Sequence, residues 1–248
     1  MRSSSVDRAR ITEIFSSLQG EGTRMGERHI FIRFEACHMA CAYCDETGKK
    51  AVEMSLADIL KEVAKLEKEI GPHACVSLTG GEPLLYADFL KRLCPALRKR
   101  GFRVLLETNG ILWRQFSKVA RSCDIIAMDL KLASVTRQPG FLKEHREFLR
   151  IAKKGETYIK IVVSKGVDLR EYDRHLRMVA REAPWAPVFL QPAHGTGRGS
   201  ARRPVSRGQT AYPDPSLMRA LDKLQRRGAR QDLDVRVGIQ LHKVLNIR

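Results

Sequence analysis

The chain has 248 residues, 43% hydrophobic and 29% charged; it can build a core and is not compositionally disordered, and membrane, collagen-like, coiled-coil and disulfide-scaffold classes are excluded. No stretch approaches the roughly 18 uninterrupted apolar residues of a membrane span, and MRSSSVDRAR lacks a secretory h-region, so a cytoplasmic location without a membrane partner is expected. Lys plus Arg total 45 against 28 Asp plus Glu, a formal net charge of +17, but the basic residues are scattered and aromatics are only 6%, which fits a soluble enzyme with anionic ligands better than a nucleic-acid binder.

In chain order, ITEIFSSLQGEGTRMGERHIFIRF opens the fold, with Gln19-Gly20-Glu21-Gly22 too polar and glycine-rich for a core; it reads as a loop presenting backbone amides and a carboxylate. Residues 29–34 read as a strand feeding a cysteine loop. Ser55 caps a helix running to about Ile70, with Asp58 as a capping-box partner and Gly71 as its stop. Strand 74–79, helix 86–100, strand 102–107, a helix near 113–121, strand 124–129, helix 141–153, strand 157–163, helix 169–182 and strand 187–191 follow. Residues 193–213 have no periodicity and carry four arginines, which predicts a mobile loop. Helix 214–227, strand 233–239 and the tail QLHKVLNIR end the chain. Apolar strands alternating with amphipathic helices predict one α/β domain over 1–248, with a mostly parallel sheet in an open or closed (β/α) barrel.

Six cysteines occur. Cys75, Cys94 and Cys123 lie in apolar or helical surroundings and read as buried small hydrophobes. Cys37, Cys41 and Cys44 fall within eight residues at C-x3-C-x2-C spacing, which in a reducing compartment points to a metal rather than disulfides. Zinc wants four closed ligands, which leaves a Cys3His knuckle using His38 or His29 as one reading. A cubane held by three thiolates would keep one iron open for an exogenous ligand, the other reading.

Polar residues gather where predicted strands end: Glu35, then Thr79-Gly80-Gly81-Glu82-Pro83, Glu107-Thr108-Asn109, Asp129-Leu130-Lys131, Ser164-Lys165 and Gln191-Pro192. Six such endings in register suggest a ligand face, because buried polar groups without partners are costly. In the Gly-Gly-Glu-Pro turn two glycines admit a close ligand, and Glu82 can accept from a cationic amine.

Together, EIFSSLQGEGTRMGERHIFIRFEACHMACAYCD, SLTGGEPLL, LETNG, FLQP and QLHKVLNI resemble the 7-carboxy-7-deazaguanine synthase family of radical S-adenosylmethionine (SAM) enzymes over nearly the whole chain. The resemblance implies an incomplete (β/α) barrel, a lyase-type homodimer, and conversion of 6-carboxy-5,6,7,8-tetrahydropterin to 7-carboxy-7-deazaguanine in queuosine precursor biosynthesis. It implies a 4Fe–4S cluster, SAM and magnesium as cofactors, and a flavodoxin or ferredoxin as electron donor. Cys37, Cys41 and Cys44 would ligate the cluster. Gly81 and Glu82, Asp129, Leu130 and Lys131, and Gln191, Pro192, Ala193 and His194 would contact SAM. Leu18, Gln19, Gly20, Arg33, Thr79 and the terminal Arg248 would contact the pterin, Arg33 by a bidentate fork to its carboxylate. The family usually reads Cys-Asp-Thr at its last cluster cysteine, with the Thr on magnesium; this chain reads Cys44-Asp45-Glu46-Thr47, so either Glu46 or Thr47 takes that role. The competing readings are a glycyl-radical activating enzyme, a deazapurine natural-product enzyme, and a basic zinc protein binding RNA.

Overall fold

A computed structural model describes residues 7–44, 48–152, 154, 156–193 and 215–245. In chain order these contain β1 (Arg8–Leu18), β2 (Arg28–Phe34), β3 (Val52–Ser55), α1 (Leu56–Ile70), β4 (Cys75–Gly80), α2 (Ala87–Lys99), β5 (Arg103–Thr108), α3 (Trp113–Val119), β6 (Ile125–Asp129) and α4 (Ala133–Thr136). Then come α5 (Leu142–Ile151), β7 (Thr157–Val163), α6 (Leu169–Glu182), β8 (Val188–Pro192), α7 (Pro215–Ala229), β9 (Val235–Val237) and α8 (Leu241–Val244).

The described strands form one sheet in the order β3-β1-β2-β4-β5-β6-β7-β8-β9. From β2 onward every pairing along this order is parallel, whereas β1 runs antiparallel to both β2 and β3. Contacts between the segments that follow β1 and β9, near opposite ends of this order, show that the sheet curls. After β9, the Leu241 N–H donates to the Gly20 carbonyl at 3.0 Å, and Gln240 Nε2 donates to Glu21 Oε1 at 2.7 Å. The architecture is thus an incomplete (β/α) barrel.

The helices form where periodicity predicts them. Ser55 and Asp58 make the expected reciprocal cap on α1, with Ser55 N–H donating to Asp58 at 2.9 Å and Asp58 N–H to Ser55 Oγ at 3.2 Å. Two strands differ from expectation, and the short helices α4 and α8 are additions to it. The segment before the first predicted strand is an 11-residue strand, β1; an irregularity in its pairing between Ile11 and Glu13 breaks the alternation that would have revealed it. The short β3 continues that edge. The arginine-bearing stretch 193–213 lies outside the described residues apart from Ala193.

Two cores result. The larger fills the space between sheet and helices and holds the outward rows of the strands, such as Val76 and Leu78 on β4 and Ile159, Ile161 and Val163 on β7. The smaller lies on the inner face: Cys75, Leu105, Ile125, Ala127, Tyr158 and Phe189. Cys75, Cys94 and Cys123 are all buried, as the sequence predicts. Among the described residues no helix is long and apolar enough to cross a membrane.

Candidate active site

A strand's side chains alternate between faces, so inward residues recur every second position. The inner rows here begin apolar and end polar: Cys75 leads to Thr79, Leu105 to Glu107, Ile125 and Ala127 to Asp129, Tyr158 to Lys160, and Phe189 to Gln191. Their polar ends line a cavity of about 620 Å³, seated above the small inner core.

The opposite wall comes from the antiparallel strand. Leu18 pairs with Arg28 at the start of β2, so the turn after β1 enters from the end of the barrel opposite the cysteine loop. The sequence reads residues 19–22 as a loop presenting backbone amides and a carboxylate; Gln19 in that turn is buried, and Gln19, Gly20 and Glu21 form the floor of the cavity. Gln19 Nε2 donates to Glu107 Oε1 at 3.0 Å, and Thr79 Oγ1 donates to Glu107 Oε2 at 3.0 Å. The Glu21 carboxylate lies 2.7 Å from Lys160 Nζ. Gly22 sits at φ +66°, and a Cβ there would fall 2.1 Å from the Tyr158 ring. Only glycine lets this turn lie so close to β7.

The other end of the cavity is built by the loop after β2. Cys37, Cys41 and Cys44 all line it. Ala42 N–H donates to the Thr136 carbonyl at 3.0 Å, anchoring the loop on α4. Gly80 and Gly81 bring the β4 turn against the same loop: a Cβ on Gly80 would stand 2.2 Å from the Phe34 carbonyl oxygen, and one on Gly81 2.2 Å from that of Ala36. Among the described residues no three His, Cys, Asp or Glu side chains are gathered round one point as a preformed metal site. The cysteines nonetheless offer the soft donor set of an iron–sulfur cluster on one cavity wall. Asn109 also lines the cavity, and its buried Nδ2 has no hydrogen-bond partner among the described residues, a donor set for a ligand's acceptor. The residues present fit the cluster and a polar co-ligand. His29, considered for a zinc knuckle, is instead buried on β2, bonded to Ser77 Oγ at 2.8 Å and Glu27 at 3.3 Å.

A largely buried ionic chain joins floor and upper wall. Lys160 lies 2.7 Å from Glu21 and 3.3 Å from Asp129, and Lys131 lies 2.9 Å from Asp129. Burial opposes charge on all four, yet the alternation wins. Lys131 and Lys160 hold the Asp129 carboxyl below its ordinary value, Lys160 does the same for Glu21, and both ammonium groups are held above theirs. Lys131 Nζ also meets Tyr43 Oη at 3.3 Å.

Of the predicted residues, Leu18, Gln19, Gly20, Arg33, Thr79, Gly81, Asp129, Lys131, Gln191, Pro192 and Ala193 line the cavity together with the three cysteines. Glu82 and Leu130 do not. Glu82 turns into the core, where it accepts from Leu84 N–H at 3.0 Å, Thr108 Oγ1 at 2.8 Å and Asn109 N–H at 2.8 Å. With those positions filled by the protein, it is a clamp between β4 and β5 rather than an amine acceptor. Leu130 is buried in the larger core. Ser164 and Lys165 are also off the cavity wall, which Val162 reaches instead. Arg33 lies 3.4 Å from Glu13, and its guanidinium stacks over Phe15, 5.4 Å from the ring centre. Glu46, Thr47, His194 and Arg248 lie outside the described residues.

Sequence reasoning missed Lys160 and Gln240. Lys160 carried a usable signal, an ionisable residue two positions from Tyr158 and Val162 within the otherwise apolar TYIKIVV. Gln240 carried none, since its partner Glu21 is 219 residues away.

The Radical SAM superfamily matches residues 31–179. A 7-carboxy-7-deazaguanine synthase from Geobacter sulfurreducens is 35% identical over 217 residues, spanning 79% of this chain and 86% of the relative. One from Methanothermobacter thermautotrophicus is 32% identical over 266 aligned positions, spanning 97% and 98%. Among solved structures, QueE from Escherichia coli superposes with a TM-score of 0.64 at 22% identity, covering 95% of each chain, a likeness of fold.

Proposed function

The chain belongs to the radical SAM superfamily and, within it, to the 7-carboxy-7-deazaguanine synthase family, and on that footing we propose how its cavity converts 6-carboxy-5,6,7,8-tetrahydropterin to 7-carboxy-7-deazaguanine, a queuosine precursor. The observation that carries this reading is the shared cavity: Leu18, Gln19, Gly20, Arg33 and Thr79 meet the three cysteines across one space of about 620 Å³.

Cys37, Cys41 and Cys44 would hold the 4Fe–4S cluster, and Gly81, Asp129, Lys131 and residues 191–193 would hold SAM. When bound, these two would supply carbon-radical chemistry for hydrogen-atom transfer with the substrate. The protein's own work is placement. The Arg33 guanidinium binds the pterin carboxylate. Glu107 already accepts from Gln19 and Thr79, and a carboxylate's remaining lone pairs suit the N–H edge of a pterin ring. The floor turn, pinned by Gly22 on Tyr158, closes the cavity beneath the ring and excludes water there. Magnesium would take oxygen ligands from Glu46 or Thr47, both outside the described residues. A flavodoxin or ferredoxin supplies the electron, and the enzyme acts as a cytoplasmic homodimer.

The test is anaerobic reconstitution followed by incubation with SAM, reductant and the carboxypterin, with mass spectrometry of the product. 7-Carboxy-7-deazaguanine supports the proposal. Cleavage of SAM without that product would shift the chain to another radical SAM reaction, and stoichiometric zinc in place of an iron–sulfur chromophore would overturn the cluster.

A further inference from the structure

The ionic chain across the cavity has one member that touches both halves of the site. Lys160 stands on the inner face of β7 between Tyr158 and Val162, and its head is buried. It lies 2.7 Å from Glu21 on the floor turn and 3.3 Å from Asp129 at the end of β6. Each carboxylate has one further anchor. Glu21 accepts from Gln240 at 2.7 Å, and Asp129 from Lys131 at 2.9 Å. Lys131 in turn meets Tyr43 of the cysteine loop. A continuous polar chain therefore runs from the segment after β9 to the loop that carries Cys41 and Cys44.

We infer that Lys160 couples the SAM side of the cavity to the substrate side, as a positioning residue that touches neither reacting centre. This rests on the assignment of the floor turn to substrate and of Asp129 to SAM. The reason is geometric and electrostatic. One tetrahedral ammonium serves two carboxylates, so a shift toward one lengthens the contact to the other. Lys160 itself is buried, and the Glu21 and Asp129 side chains are only 13% and 25% exposed, so solvent replaces a lost ammonium contact incompletely. A ligand that engages Asp129 releases Lys160 toward Glu21. That fixes the turn bearing Leu18, Gln19 and Gly20, already held at Gly20 by Leu241 and at Gly22 by Tyr158. A fixed floor costs less to organise when substrate arrives. By linkage, substrate in place strengthens SAM binding by the same factor.

The experiment is a pair of anaerobic titrations of the reconstituted full chain with SAM, without and with saturating carboxypterin, followed by calorimetry. Wild type, Lys160→Gln and Lys160→Arg are compared. In wild type the pterin should tighten SAM binding at least about 5-fold, the lower end of ordinary allosteric coupling. Lys160→Gln should bring that ratio to about 1, and Lys160→Arg should recover most of it. A merely structural role would lower thermal stability and weaken both ligands while leaving the ratio unchanged, and that result overturns the inference. Glu21→Gln cuts the same ion pair from the other side with a neutral isostere. It should abolish coupling as well, and it serves if Lys160→Gln does not fold. Wild-type coupling of 1 with both ligands bound also overturns the inference. No pterin binding to wild type would instead overturn the substrate assignment, and the coupling with it.

Discussion

Thr108 donates its hydroxyl to the Glu82 carboxylate at 2.8 Å, fastening the end of β5 to the turn after β4 from inside the core. The neighbouring amides of Leu84 and Asn109 donate to the same carboxylate. Burial nevertheless outweighs these bonds and pushes the Glu82 carboxyl up from 4.5 to about 7.

A pH dependence follows. Between about pH 4.5 and 7 the unfolded chain has released the Glu82 proton while the folded chain keeps it. Stability therefore falls as pH rises through that window, by roughly 3 kcal/mol in total. Thermal melts across the window should show this slope in wild type and lose it in Glu82→Gln. The variant starts lower, because its amide nitrogen faces the Asn109 N–H. An equal slope in both proteins would mean that another group titrates.

Cluster ligation divides the six cysteines. Changing Cys37, Cys41 or Cys44 to Ala should remove the iron–sulfur absorbance and SAM cleavage. Cys75→Ala should keep both at a modest stability cost, since Cys75 is buried in the small inner core. A variant of Cys75 without a cluster, beside a Cys37→Ala that retains one, would reverse the assignment.

Arg33→Ala should weaken use of the carboxypterin roughly 10- to 100-fold, the worth of a charge-assisted bond to a carboxylate, while SAM affinity stays unchanged. Separate KM values for the two ligands decide it. Because Arg33 also lies 3.4 Å from Glu13, a Glu13→Gln control shows whether the loss comes from the internal ion pair. An equal loss for both ligands would make Arg33 structural.

Gly22→Ala strains a positive φ and drives a methyl group into the Tyr158 ring. The backbone conformation alone costs about 1–3 kcal/mol. The variant should raise the KM for pterin several-fold and leave the cluster spectrum intact, because the disturbed turn is at the far end from the cysteines. Gly22→Ala combined with Tyr158→Phe should behave like the single variant, since the ring and not its hydroxyl makes the contact. Unchanged pterin kinetics would show that the floor turn does not meet substrate.

Much of this was readable in the residues. Helices α1, α5 and α6 announce themselves by period, and α1 also by its capping box. The apolar strands fall within a residue or two of expectation, and their polar ends mark the cavity. What escaped depends on contacts between distant segments. β1 carries a break in alternation at its start and two adjacent serines, Ser16 and Ser17, near its end, so its pairing with β2 and β3 was hidden. Gln19 is buried against Glu107, 88 positions away in sequence, whose other oxygen accepts from Thr79. Glu82 looked like a ligand-facing carboxylate because a sequence cannot tell which side of a turn a side chain takes; the amides of Leu84 and Asn109 decided that.

The cavity's floor and upper wall come from different kinds of connection. The floor is a hairpin turn slipped in beneath the sheet, and the upper wall is the cysteine loop with the glycine turn beside it. Lys160 ties the two together through Glu21 and Asp129. A lineage that keeps Glu21 can alter the rest of the turn between β1 and β2, and so reshape what rests on it, while that tie stays in place. For an engineer this marks the residues of the turn other than Glu21 as the ones to exchange when the aim is a different heterocycle.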